Sequence, residues 1–193
     1  MSGWRRDANG RGAAGRWAAV LVAVLVAALV WPPGMLEAQE LPPPEIGLVG
    51  GTFSYDLGVR GDATSPFGGL RVRFPLSRHL LVEPGLALTR LTADSVSEGA
   101  DRDITFLLME FQAQVQLPVD RLRPYLGVGA GGMLDLRGAR GIDEFMVSTY
   151  SVAAGLAVDL GSSWAIRTEV RGRAIDDDAH SAFELGLALS TTF

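Results

Sequence analysis

Between Ala182 and Phe193 the sequence alternates residue by residue. Phe183, Leu185, Leu187, Leu189, Thr191 and Phe193 share one face of an extended chain, and Ala182, Glu184, Gly186, Ala188, Ser190 and Thr192 share the other. A helix would mix these two sets on every side, so the segment reads as a strand with one apolar face. The same device recurs upstream. Trp164, Ile166, Thr168 and Val170 oppose Arg167, Glu169, Arg171 and Arg173. In residues 150–160, Tyr150, Val152, Ala154, Leu156, Val158 and Leu160 oppose Ser151, Ala153, Gly155, Ala157 and Asp159. In residues 105–117, Leu107, Met109, Phe111, Ala113, Val115 and Leu117 oppose Glu110, Gln112, Gln114 and Gln116. Each segment is close to the length a tilted strand needs to cross a bilayer.

Weaker strands, softened by Gly or Pro, are expected over 46–57, 67–76, 79–91 and 123–136. In the second, Leu70, Val72 and Phe74 oppose Arg71 and Arg73. In the third, Leu80, Val82, Leu86 and Leu88 oppose Glu83, Gly85, Ala87 and Thr89. Eight strands, an even number, predict an all-β fold: an eight-stranded antiparallel up-and-down transmembrane β-barrel. Connection lengths agree. Ser77–Arg78, 119–122 and 161–163 are tight, whereas 58–66, 92–102, 137–144 and 175–180 are longer and polar. That alternation places the short turns in the periplasm and the long loops outside.

The first 38 residues read as an export signal. Arg5, Arg6, Arg11 and Arg16 precede an apolar run from Trp17 to Trp31, Pro32-Pro33-Gly34 ends it, and Ala38 offers a cleavage point. The expected organisation is therefore a cleaved signal peptide over 1–38, an extended lead-in over 39–45 and the barrel domain over 46–193. Removal of 1–38 leaves 13 arginines against 20 carboxylates, a net charge of about −7. An acidic chain of this kind is a poor match for nucleic acid. There is no Cys, so disulfides and thiolate metal sites are excluded.

Period two does not say which face meets lipid; the composition of the polar face does. It is largely Gly, Ala, Ser, Thr and Gln, which suits a narrow lumen better than a water-exposed wall. Its charges also nearly cancel: Arg71, Arg73, Arg167, Arg171 and Arg173 against Glu83, Glu110, Asp159, Glu169 and Glu184. The expectation is an interior ion-pair network that satisfies itself, because a buried charge without its partner is expensive. Solvated surface charges are the alternative reading.

The run Pro124-Tyr125-Leu126-Gly127-Val128-Gly129-Ala130-Gly131 and the terminal Phe193 resemble the OmpA/OmpX-like family of small outer-membrane barrels, over roughly residues 44–193. The resemblance implies residence in the outer membrane and contact with its lipid and lipopolysaccharide. It also implies that Leu185, Leu187, Leu189, Thr191 and Phe193 form the C-terminal signal read by the barrel-assembly machinery. The chain departs from the longer OmpA pattern in ending at Phe193, so peptidoglycan binding is not expected. Trp164, Tyr125, Phe145 and Tyr150, near strand ends, are candidates for interfacial aromatic girdles.

Chemistry is sparse. His79 lies beside the Ser77–Arg78 turn, where a structural role is expected. His180 follows Asp176-Asp177-Asp178 and precedes Ser181 in the last outward loop. Some small barrels of the outer membrane modify lipid A through a His-activated Ser, but in that pattern the two residues are one apart on a strand. Adjacent residues point oppositely when extended, so no catalytic residue is expected. The Asp triplet lacks the spacing of a cation-binding loop, and the glycines at 127, 129, 131 and 132 have no Lys or helix to make a phosphate loop. No cofactor or metal is expected. The leading expectation is a monomeric integral outer-membrane protein with a structural, adhesion or surface-interaction role and a filled lumen. A narrow pore for ions or small apolar molecules is the alternative, followed by a lipid A-modifying enzyme and a soluble periplasmic ligand-binding barrel. The ligand of the outward loops carries no recognisable motif.

Overall fold

The computed structural model describes residues 41–56, 62–91, 104–136, 146–175 and 180–193. The signal segment, the Asp triplet and Phe145 lie outside them, as do most of the loop residues between 92 and 144. Eight strands follow in chain order: β1 (Glu45–Asp56), β2 (Asp62–Pro75), β3 (Leu80–Leu91), β4 (Ile104–Gln116), β5 (Leu122–Asp135), β6 (Met146–Asp159), β7 (Trp164–Ile175) and β8 (His180–Thr192). Each pairs antiparallel with its chain neighbours, and β8 returns to β1, so the sheet is a closed barrel. Closure leaves no strand edge unpaired.

The strand phases fix which residues face inward. Leu185, Leu187 and Leu189 are half exposed on the outer wall while Glu184, Ala188 and Ser190, which alternate with them, are buried. The same split holds on β7, where Arg167, Glu169, Arg171 and Arg173 are buried and Ile166 and Val170 are exposed. A circuit of paired residues from Phe74 passes through Val82, Ala113, Val128, Val152, Gly172, Phe183 and Ser54. It returns to β2 at Thr64, ten residues from its start. That stagger over eight strands corresponds to a strand tilt of roughly 40° and to an interior just wide enough for side chains.

Three strands are longer than their local sequence suggests. β2 begins at Asp62, inside the segment 58–66 expected to be loop, because Thr64, Ser65 and Pro66 pair with Ser54, Phe53 and Thr52. β6 begins at Met146 and β8 at His180, each drawn out by pairing with its neighbour. Here closure of the barrel overrides weak local propensity. At the opposite end the short turns are tight. Val119 and Leu122 exchange backbone hydrogen bonds of 2.8 and 2.9 Å, with Asp120 at φ 52°, a conformation Asp tolerates. The start of β1 and the end of β8 meet at this rim, where the Phe193 N–H donates to the Pro44 carbonyl at 3.2 Å.

Candidate functional site

β7 carries Arg167, Glu169, Arg171 and Arg173 at alternate positions, so all four side chains enter the lumen in one column. The other strands supply their partners. Near the turn-side rim Arg123 donates to Asp159 and to Glu45, both at 2.6 Å. Glu45 also meets Arg73 at 3.4 Å and accepts from the Ser190 hydroxyl at 3.1 Å. Arg73 continues to Glu83 at 3.2 Å. Glu83 is 2% exposed and also holds Arg71, at 3.6 Å, and Arg167.

The chain of pairs then climbs toward the loops. Glu169 accepts from Arg71 and Arg171, each at 2.7 Å. Arg171 and Arg173 both reach Glu110, and Arg173 binds Glu184 at 2.6 Å. Ser151 donates to Glu110 at 3.1 Å, and Gln112 and Thr149 accept from Arg171 and Arg173. The ten residues singled out in the sequence thus lie in one continuous chain of contacts inside the lumen. Two further members, Glu45 and Arg123, were not singled out. Glu45 falls in the expected lead-in, although β1 begins with it, and Arg123 opens a strand whose phase the sequence leaves open. Because they add one charge of each sign, the chain stays balanced at six arginines and six carboxylates.

Tyr125 corrects an expectation. Rather than joining an interfacial girdle, it is 3% exposed inside the lumen. Its hydroxyl donates to Glu169 at 2.8 Å. Arg73 and Arg167 lie over its ring at 5.5 and 5.0 Å from the centroid, a cation–π arrangement. Tyr150 and Trp164 do face outward, 46% and 50% exposed. Strand glycines make room for the charges: a Cβ on Gly129 would lie 2.7 Å from Glu110 Oε1 and 2.6 Å from Ser151 Oγ.

The loop-side end of the lumen is different in kind. Phe53, Phe67, Leu108, Met133, Ile175 and Ala182 are buried in one apolar cluster, with Tyr55, Phe106 and Val147 packed on it. These are inward-facing residues at the strand ends nearest the loops, where an interior of small and polar side chains was expected. For Phe53 and Met133 the sequence gives no inward signal, because glycines mask the phase of β1 and β5. Between cluster and charges the interior leaves a void of about 20 Å³, room for one water.

The other candidates do not assemble. His180 and Ser181 are consecutive in β8, where they pair with Ile175 and Ala174, and the Asp triplet before them lies outside the described residues. His79 Nδ1 lies 3.2 Å from the Gln116 carbonyl oxygen beside the first short turn. Among the described residues no three His, Asp or Glu side chains converge as metal ligands.

Comparison with known proteins agrees with this architecture. Residues 18–190 match the family described as outer membrane protein beta-barrel domain. Among solved structures, the fold is similar to Neisserial surface protein A, with a TM-score of 0.64 at 11% identity, covering 80% of this chain and 100% of that one. It is also similar to the N-terminal β-barrel domain of Pseudomonas aeruginosa OprF, with a TM-score of 0.50 at 15% identity over 80% and 100% of the two chains. No curated protein matches the sequence.

Proposed function

Since the chain belongs to the outer membrane protein beta-barrel domain family and resides in the outer membrane, we propose that it is a closed barrel that works through its loops and wall rather than through its lumen, in a structural, adhesion or surface-interaction role. The observation that carries this reading is the two-layer filling of the interior. A balanced chain of ion pairs occupies the turn-side part, and an apolar cluster of Phe53, Phe67, Leu108, Met133 and Ile175 occupies the loop-side end. An ion entering from either side meets first a layer that gives it no ligands, or a set of charges that are already matched. The narrow-pore alternative would need both layers to move at once.

The outer wall is apolar and meets lipid, including lipopolysaccharide on the outer side. Leu185, Leu187, Leu189, Thr191 and Phe193 are the signal presented to the barrel-assembly machinery. No residue is given a catalytic role, since His180 and Ser181 are adjacent in the chain rather than one residue apart on a strand. Reconstitution in a planar bilayer tests the central point. The wild-type protein gives no steady single-channel conductance; regular conductance steps would overturn the reading in favour of a pore. Altered lipid A acylation on expression, lost in an H180A variant, would overturn it in favour of an enzyme.

A further inference from the structure

Seven of the eight seams of the barrel join consecutive strands; the eighth, between β1 and β8, has no connecting segment. Its register is the one the chain leaves free, and it sets the stagger of the whole barrel while the other seven stay as they are. Because side chains alternate between wall and lumen, the smallest slip that keeps both faces is two residues. In one such slip Leu48 meets Leu187 instead of Leu189, Ile46 meets Leu189 and Gly50 meets Leu185. The seam would run from Glu45↔Ser190 to Tyr55↔His180 instead of from Glu45↔Thr192 to Tyr55↔Ala182, with no pair lost. Phe183 would pair with Thr52, the circuit would return to β2 at Pro66 rather than Thr64, and the stagger would fall from ten residues to eight. The outer wall presents the same residues in both registers. The lumen does not keep its width, since the smaller stagger narrows the barrel by roughly a tenth in radius. The opposite slip leaves Glu45 and Ile46 without partners in β8.

We propose that Phe67 is the key that selects the closing register and, through it, the bore of the lumen. Phe67 stands in one row with Gly51, its partner on β1, and Gly186, the partner of Gly51 across the seam on β8. Neither glycine carries a side chain, so the Phe67 ring, 6% exposed, reaches over β1 onto β8. A Cβ on Gly186 would lie 3.4 Å from Phe67 Cζ and 3.6 Å from Val49 Cγ2. The two backbones also close up at this level, where a Cβ on Gly51 would collide with the Leu185 carbonyl oxygen and lie 2.9 Å from Gly186 Cα. After the slip Glu184 takes the place of Gly186 in the row. Its carboxylate is held by Arg173 at 2.6 Å, and that pair travels with the β7–β8 hairpin. The Phe67 ring would then meet a charged side chain where it now meets none, in a lumen that has become narrower, and overpacking of this kind is destabilising. The wall admits either register; the seat of Phe67 admits one.

The chain has no Cys, so disulfides engineered on the outer wall read the register of protein refolded into lipid vesicles. Directly paired residues lie about 4.5–5.5 Å apart at Cα, within disulfide reach, and residues two positions off the pair lie beyond it, at about 7–8 Å. With Phe67 in place, L48C/L189C is expected to cross-link and L48C/L187C to stay reduced. In F67A the L48C/L187C cross-link is expected to rise at least about tenfold, because a buried Phe is worth more than a factor of ten in an equilibrium. L108A is the control, since Leu108 is 4% exposed in the same apolar cluster but stands on β4, away from the seam; it should keep the wild-type pattern. Cross-linking of F67A through L48C/L189C alone would overturn the proposal, as would an equal yield of the slipped cross-link in L108A. If F67A does not refold, an L48C/L189C disulfide formed beforehand should restore the heat-shifted gel band, because the disulfide then supplies the register. Failure of that rescue would overturn the proposal too, leaving Phe67 a general packing role.

Discussion

Tyr125 lies across Gly155, its paired residue on β6. A Cβ at position 155 would lie 2.4 Å from both Cζ and the hydroxyl oxygen of Tyr125 and 2.6 Å from the Thr168 carbonyl oxygen. The absence of a side chain at residue 155 is therefore what leaves room for the phenol end of Tyr125, whose ring lies under Arg73 and Arg167. Gly155→Ala is expected to destabilise the barrel by about 1–3 kcal/mol through overpacking. Tyr125→Phe, which keeps the ring and removes only the hydroxyl donated to Glu169, is expected to lose about 1.5–3 kcal/mol. Equilibrium unfolding in urea, read by tryptophan fluorescence in lipid vesicles, measures both. Wild-type stability in G155A would show that the ring has room to move.

The ion-pair chain has a centre and an edge, and the two should respond differently. Glu169→Gln leaves Arg71, Arg167 and Arg171 short of a counter-charge in a buried site and is expected to destabilise by about 3–5 kcal/mol. Asp159→Asn acts at the rim, where the side chain is 30% exposed, and a solvated pair there is worth about 1 kcal/mol or less. The same unfolding measurement compares them. Equal losses at both positions would mean that the lumen is wet throughout.

The loop-side cluster makes a separate contribution. Phe53 is fully buried at its centre, and Phe53→Ala is expected to cost about 3–5 kcal/mol through the cavity left behind. Conductance should remain silent in this variant, since the charged layer beneath is intact. Steady current through F53A would locate the whole barrier in the apolar layer and refute the two-layer reading.

The outer face is tested by charge. Leu187 is 58% exposed between the two rims on β8, and Leu187→Arg is expected to destabilise the barrel in lipid by about 2–4 kcal/mol. An unchanged stability in vesicles would mean that this face does not meet hydrocarbon.

Phe193 separates assembly from stability. It is 69% exposed and joins the barrel through its backbone, so Phe193→Ala should leave unfolding of the purified, refolded protein within about 0.5 kcal/mol of wild type. Its level in the outer-membrane fraction of expressing cells should nevertheless fall. A variant that assembles at the wild-type level would remove the C-terminal signal from the account.

The sequence by itself determined the strand count, the antiparallel up-and-down order and the inward face of β4, β7 and β8. Alternation is a local property, and in Ala182 to Phe193 it is nearly unbroken. The side of the wall on which Arg167, Glu169, Arg171 and Arg173 lie follows from the same two-residue period. Only the closed structure decided the rest. Glu45 and Arg123 are more than seventy positions apart, and nothing near either one signals that the barrel's stagger brings them within 2.6 Å. Tyr125 could be assigned to the lumen only once its register against Gly155 was known, because a Gly-rich strand carries no phase of its own. The apolar cluster draws residues from most of the strands, few of them neighbours in sequence, and the extra length of β2 comes from pairing rather than from propensity. Periodicity fixes what each strand shows to either side. Which strands' inward residues share a level is a consequence of tilt and closure, which no single segment encodes.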